Sequence, residues 1–532
     1  MVYYAAIHAS VAYTGRMTTY MQRGKIGGSV FTSISEQISI HGHFRPNNIA
    51  LIEGAREVSW AQYNVTANLL AAKLAAHGVE RGDRVALLVT NGLWAHEALL
   101  AIWRCGAAAV PLSPMLKAAQ LHLLLEDCGA SRLLVSPEHA PLATEVAGNI
   151  PVLSAAALAL LPGDVTAFIP HAPDRHELAV IIYSSGTTGV PKGIAHSHES
   201  RLSFATNFAA EFRFHPRAVA LSCIPMHSNG AWLGWLPANW MGATTVVLPA
   251  FNTEAYLGIV SSHAPTHGFV VPTMASALLQ HPDIKRVRLG CFETLITAGS
   301  PMPAHVKQAM QELSNHALYE LWGLTEGVAT IITPEEMKRR PESVGRPMLG
   351  CDIRIIDGAG RDISAGGCGE IVGCSSGMMD GYWNRPDADA DASWFDEQGR
   401  LYLRTGDLGE FDADGFLTLR GRKKDMILSG GLNVYPVDIE AALLAHQGVH
   451  EAIVFGIEDP HWGEVPVALV HPDPSAKLEA QPLMDAVNCE LARHQRLKDL
   501  VFWPTAFARN SMGKAPKAEL REAYLQKARA AH

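Results

Sequence analysis

Cysteine is sparse in this chain and nowhere paired. The 532 residues hold eight cysteines, none spaced as C-x-x-C. This argues against a zinc ribbon and against a disulfide framework, and it fits a reducing compartment. Long hydrophobic runs are also missing. None reaches the roughly 18 residues that a bilayer crossing requires, so no membrane span is expected. Nor is there an excess of positive charge: 43 Lys and Arg stand against 52 Asp and Glu, a formal net charge of −9. A broad nucleic-acid surface is thereby disfavoured, and nucleic acid is not an expected partner. The basic runs Lys338-Arg339-Arg340 and Arg422-Lys423-Lys424 are isolated, and the first reads as a solvated face. Acidic residues are absent before Glu36, where Arg16, Arg23 and Lys25 supply the charge. Residues 1–30 are read as an N-terminal extension, disordered or added by an early start codon, with an organellar transit segment as the alternative. A cytoplasmic location is otherwise expected. Of the 24 histidines, His196 and His198 form an H-x-H pair, but the sequence places no third metal ligand beside them, and they read as the end of a loop rather than as a metal site.

What the chain does have is apolar content for a large core, 48 % against 18 % charged residues, and length enough for two to four structural units. "WAQYNVTANLLAAKLAAHGV" (60–79) and "GLWAHEALLAIWRCG" (92–106) carry helical spacing and end at glycine. "RVALLV" (84–89) and "AAAVPL" are short buried-strand patterns. Strand and helix alternating through short turns predict parallel βαβ units. The rhythm recurs through "LAVIIY", "TTVVLP" and "ETLITAG". From about residue 351 it gives way to short strands with Gly/Asp turns, including the hairpin signal "DADG". Past "GRKKD" a smaller α+β pattern follows. The expected fold is α/β. A large multi-sheet N-terminal body with a small β-barrel-like part spans 31–421, a hinge spans 422–425, and a small mobile α+β domain spans 426–532.

One stretch looks built for phosphate. "IIYSSGTTGVPKGIAHSH" (181–198) offers the hydroxyls of Ser184, Ser185, Thr187 and Thr188, a glycine at Gly186 that lets the backbone approach, and the charge of Lys192. It is not the nucleotide-triphosphatase loop G-x-x-x-x-G-K-[ST], because Gly193 follows the lysine. It is not the dinucleotide fingerprint G-x-G-x-x-G either. Taken alone, a plain glycine-rich turn explains it equally well.

"YSSGTTGVPKG" closely resembles the phosphate loop of the adenylate-forming superfamily, which includes acyl-CoA synthetases, adenylation domains and beetle luciferases. The resemblance spans roughly residues 30–520, with further motifs in the family's order. "YELWGLTEG" (319–327) is similar to the adenine and metal motif. It implies that Trp322, where tyrosine is commoner, flanks adenine, that Thr325 touches phosphate, and that Glu326 holds Mg²⁺ with Thr188. "TAGSPMP" (297–303) resembles the segment passing the adenine, with Gly299 and Ser300 closest. "YLRTGDLG" (402–409) implies that Asp407 binds the ribose hydroxyls, with Arg422 also reaching the ribose. "GRKKDMILSGGLNVYPVDIE" (421–440) places the hinge residue at Lys424 and a CoA-channel loop at Gly430 and Gly431. "NSMGKAPK" (510–517) places the catalytic lysine at Lys514.

The resemblance implies an AMP-forming carboxylate–CoA ligase that uses ATP, Mg²⁺ and CoA. Homodimers are common in the family. Gly323 stands where acetyl-CoA synthetases close the acyl pocket with tryptophan, which implies an acid larger than acetate. "PMHSNGAWLGWLPANWMGA" (225–243) resembles one pocket wall, with His227 and Trp232 facing the acyl group. Helix-core packing is an equal reading of Trp232 and Trp235. The wall carries no acid to pair an ammonium, so a fatty, aromatic or cyclic carboxylate is expected over an amino acid. Rival readings are carrier-protein loading, a luciferase-like oxygenase, and a nucleotide-binding regulator without turnover. No carrier domain is expected after Lys514.

Overall fold

The computed structural model describes residues 31–160, 168–184, 191–284, 286–287, 289–473, 476–508 and 515–530. The expected extension over 1–30, the loop residues Ser185, Gly186, Thr187 and Thr188, and Lys514 lie outside the described residues. The class is mixed α/β with several sheets, as expected. By backbone packing the chain separates into two compact units. One runs to Phe269 and takes back Ser376–Asp389; the other comprises Val270–Ser375 and the chain from Ala390 onward.

In the first unit the described residues form a seven-stranded sheet. From one edge its strands are Gly381–Tyr382, Lys192–Ser197, Leu178–Ser184, Ala108–Pro111, Arg84–Leu88, Arg132–Val135 and Val152–Ser154. The last five pair in parallel. Val85, Leu87, Ala109, Val110, Leu133 and Leu134 are all buried, as a parallel sheet covered on both faces requires. The helix Trp60–Ala76 starts in a capping box, with Ser59 and Gln62 exchanging backbone N–H bonds. It ends two residues before Gly78, whose φ of +76° lets the chain turn back into the next strand. The helix Leu93–Arg104 is buried almost all round. One expectation changes here. The strand Leu178–Ser184 is followed by an antiparallel return, Lys192–Ser197, rather than by a helix. A second sheet of this unit orders His267–Val270, Val219–Ser222, Thr244–Val247, Ile49–Glu53 and Arg56–Ser59.

In the second unit Thr294–Ala298 and Leu318–Gly323 run in parallel, followed by antiparallel Ala329–Ile332 and Arg346–Pro347. The part expected to be barrel-like is an antiparallel sheet of Cys351–Ile356, Gly369–Ser375, Leu401–Phe411, Ser393–Phe395 and Leu417–Arg422. Its "DADG" turn folds as read: the Asp412 carboxylate accepts from the N–H groups of Asp414 and Phe416, both at 2.9 Å. The C-terminal sheet is built on the long hairpin Val449–Asp459 and Gly463–Pro472. Alternation puts Val454 and Val470 on one face, with Ile439, Leu443 and Val487. Phe455 and Leu469 pack on the other, with Phe507, Leu520 and Tyr524.

Candidate functional site

The glycine-rich loop closes an antiparallel hairpin. Ser184 and Lys192 stand directly opposite each other at its mouth. Leu178–Ser184 is parallel to its neighbour Ala108–Pro111, so the loop leaves from a carboxyl strand end, where open α/β sheets take their ligands. Lys192 sends its Nζ over the ring of Tyr382, 4.8 Å from the centroid. Sequence reasoning missed Tyr382. It comes from a two-residue strand some 190 positions later, paired to the hairpin at Ile194. The cation–π contact holds the lysine stem without neutralising its charge.

His196 and His198 are core residues rather than the end of the loop. They are 0 % and 4 % exposed. His196 Nδ1 meets Ser200 Oγ at 3.0 Å and Arg201 Nη2 at 2.9 Å. Burial pushes His198 down to about 4. Among the described residues no group of three His, Cys, Asp or Glu is arranged to hold a metal. The first of the two basic runs is also more than a solvated face: Arg340 pairs with Asp412 and Asp414 and lies over Phe416.

The second unit places the "TAGSPMP" and "YELWGLTEG" segments at the carboxyl ends of two parallel strands. Ala298 pairs with Leu321, so Gly299 and Ser300 leave the sheet beside Trp322. Thr325 and Glu326 lie half-buried in the tight turn between Leu318–Gly323 and Ala329–Ile332. Asp407 and Arg422 face each other across the hairpin that the "DADG" turn closes. A register shift at Leu408/Gly409 makes this so. Counting back from the turn without the extra residue would put Gly421 opposite Asp407.

The Asp407 carboxylate is held from both sides. Arg422 Nε lies 2.6 Å from Oδ1, and the Trp322 indole N–H donates to Oδ2 at 3.0 Å. Its own backbone N–H donates to Thr405 Oγ1 at 3.0 Å, and that hydroxyl donates to the Ile371 carbonyl at 2.7 Å. Trp322 is thus brought to the Asp407–Arg422 pair from 85 residues and more away in the chain. The Trp322–Asp407 bond has no signal in the sequence.

Lys424 is exposed on a short 3₁₀ turn, Lys423–Asp425. Its neighbour Lys423 is tied down, with Nζ 2.9 Å from the carboxylate of Glu370. Arg404 reaches the same oxygen at 2.5 Å. Burial alone would raise the Glu370 carboxyl. The bonds from Arg404 and Lys423 outweigh it and hold the group below the usual carboxylate range. Gly430 and Gly431 form the two-residue turn between Ile427–Ser429 and Leu432–Val434. Their φ values of +58° and +80° are those a type I′ hairpin demands, so the turn accounts for both glycines.

Of the readings of the acyl wall, one open alternative is decided and one changes. Trp232 packs as core: it is 1 % exposed, donates Nε1–H to the Met226 carbonyl at 3.1 Å, and lies 5.5 Å from Trp235 and 6.3 Å from Trp103. Gly323 has a local steric cause. A Cβ there would sit 2.9 Å from the Val328 carbonyl oxygen and 3.1 Å from Ala329 Cβ. Glycine is what the hairpin tolerates, whatever the pocket needs. His227 is half-buried after the strand Val219–Ser222, and burial lowers it to about 4, so it is neutral at pH 7.

Comparison with known proteins gives two family matches: "AMP-binding enzyme" over residues 41–383 and "AMP-binding enzyme C-terminal domain" over 438–514. A long-chain-fatty-acid–CoA ligase of Mycobacterium tuberculosis is 32 % identical over 500 residues, covering 90 % of this chain and 96 % of that one. A feruloyl-CoA synthase of Amycolatopsis sp is 31 % identical at the same coverage. The solved o-succinylbenzoate CoA synthetase of Bacillus subtilis, in complex with its acyl-adenylate intermediate, superposes with a TM-score of 0.81. It is 26 % identical and covers 91 % of this chain and 97 % of its own.

Proposed function

Because the chain belongs to the AMP-binding enzyme family, we propose that it is an AMP-forming carboxylate–CoA ligase. It joins a carboxylate to the AMP moiety of ATP with release of pyrophosphate, then transfers the acyl group to CoA with release of AMP. The observation that carries this reading is the Trp322–Asp407–Arg422 cluster at a carboxyl strand end, a flat aromatic beside a held carboxylate. An aromatic face suits a purine and a carboxylate suits vicinal hydroxyls.

The first step brings an anionic acid to an anionic triphosphate, so positive charge must offset the repulsion. In this reading Lys192 steadies the departing pyrophosphate, and Ser184, Ser185, Gly186, Thr187 and Thr188 wrap its oxygens. Lys514 meets the acid and the α-phosphate as the C–O–P bond forms. Glu326, a hard oxygen donor in a tight turn, and Thr188 fit Mg²⁺, which when bound supplies further charge neutralisation on the phosphates. Thr325 touches the α-phosphate, and Gly299 and Ser300 pass the adenine. In the second step the segment 426–532 swings about Lys424, withdraws Lys514 and presents the loop at Gly430 and Gly431 to the pantetheine thiol. The thiolate attacks the acyl carbonyl and AMP leaves.

The acid is a fatty or aromatic carboxylate larger than acetate. The neutral His227 and the apolar composition of 225–243 support this, as do the substrates in the names of the two relatives above. The steric cause of Gly323 removes it from that argument. Pyrophosphate release across a panel of carboxylates, with and without CoA, tests the reading. Lys514→Ala is expected to slow adenylation by on the order of 10²–10³-fold and to spare thioester formation from pre-made acyl-AMP. Equal loss of both steps would refute the assignment. Acyl transfer to a carrier protein but not to CoA would replace the second step.

A further inference from the structure

We propose that Trp322 is a positioning residue for nucleotide ribose recognition, acting through Asp407 rather than only through its ring face. The proposal rests on the adenylating function above, because that function is what brings a ribose to Asp407. The geometry carries the rest. Asp407 is buried to the point that 8 % of its side-chain surface is exposed. Arg422 grips one carboxylate oxygen, and the Trp322 indole N–H grips the other. A carboxylate on a short stem can still rotate about its last bond when one oxygen alone is held. Donors on both oxygens, from different strands, fix its plane before any nucleotide arrives. Binding then avoids the cost of ordering that group.

The indole is suited to this among aromatic side chains. It offers a flat face and, at its edge, a single N–H donor with no acceptor. Phenylalanine has no donor. Tyrosine carries its hydroxyl at the far end of the ring, and that group also accepts. Trp322 precedes Gly323, the last residue of its strand. Its partner lies across a separate hairpin whose register depends on the shift at Leu408/Gly409. Hydrogen bonds to charged groups are worth enough to change affinity by roughly tenfold or more.

The test is direct binding of AMP and of 2′,3′-dideoxy-AMP, by titration calorimetry, to the wild-type chain, Trp322→Phe and Trp322→Tyr. Both variants keep a ring for the adenine. AMP is expected to bind each variant about tenfold more weakly than wild type. Dideoxy-AMP, which offers Asp407 no hydroxyl, should bind all three alike. Asp407→Asn should lower the preference for AMP over dideoxy-AMP, and adding Trp322→Phe to it should weaken AMP binding little further. Equal weakening of both ligands would show that Trp322 acts through the adenine face and would overturn the proposal. Unchanged AMP binding in either folded variant would overturn it as well. Failure of the wild-type chain to bind AMP would sink the adenylation reading itself and this proposal with it.

Discussion

Replacing Glu370 with glutamine should measurably loosen the second unit, with a pH dependence that identifies the cause. The Glu370 side chain is 7 % exposed and receives Arg404 at 2.5 Å and Lys423 at 2.9 Å on one oxygen. Glutamine keeps the shape, and its amide oxygen can still accept from both donors, but the charge that pairs with the two cations is gone. Removing one partner of a fully buried pair costs about 3–5 kcal/mol. Here the cations are 34 % and 50 % exposed, and solvent screens them. The expected loss is therefore about 2 kcal/mol, or roughly 4–8 °C in the unfolding transition of a unit this size. The Glu370 carboxyl is held below its ordinary value in the folded chain. Its contribution is therefore fully present above the unfolded value of about 4.3 and disappears as pH falls through the lower, folded value. Thermal unfolding of Glu370→Gln and wild type at pH 7.5, 5 and 4 reads this out. The gap should persist at pH 5 and narrow only below about 4.3. Equal stability at pH 7.5, or a gap already closed at pH 5, would refute the reasoning.

Lys424→Pro should keep carboxylate-dependent pyrophosphate exchange and lose thioester formation. Proline fixes φ and restricts the preceding residue at the turn about which the C-terminal segment is proposed to swing; normal CoA turnover in the variant would contradict the hinge. Gly323→Ala should destabilise by about 1–3 kcal/mol, because its Cβ meets a backbone oxygen that cannot move without shifting the hairpin. An unchanged melting temperature would show that sterics do not require glycine there, and would return Gly323 to the argument about acyl-pocket size.

Much of the site was legible because its parts are local. The "DADG" turn and the strand-end segments each sit in a few consecutive residues whose backbone preferences act before any packing. Local reasoning failed where a residue's environment comes from elsewhere. His196 and His198 read as the end of a loop, yet they are buried against helix residues and Trp103. Trp232 read equally as pocket wall or helix core, and its packing against Trp103, more than 120 positions earlier, is what decides for the core.

The sequence by itself determined the α/β class, the family and the order of the motifs. The class follows from hydrophobic periodicity and turn chemistry, and the family from the resemblance carried by motifs such as "YSSGTTGVPKG" and "YLRTGDLG"; all are properties of neighbouring residues. Only the tertiary structure decided that Lys192 leans on Tyr382, that Glu370 ties down the turn carrying Lys424, and that Trp322 donates to Asp407. Each of these contacts joins distant segments through strand pairing. A one-residue shift in register, such as the one at Leu408/Gly409, decides which side chains meet.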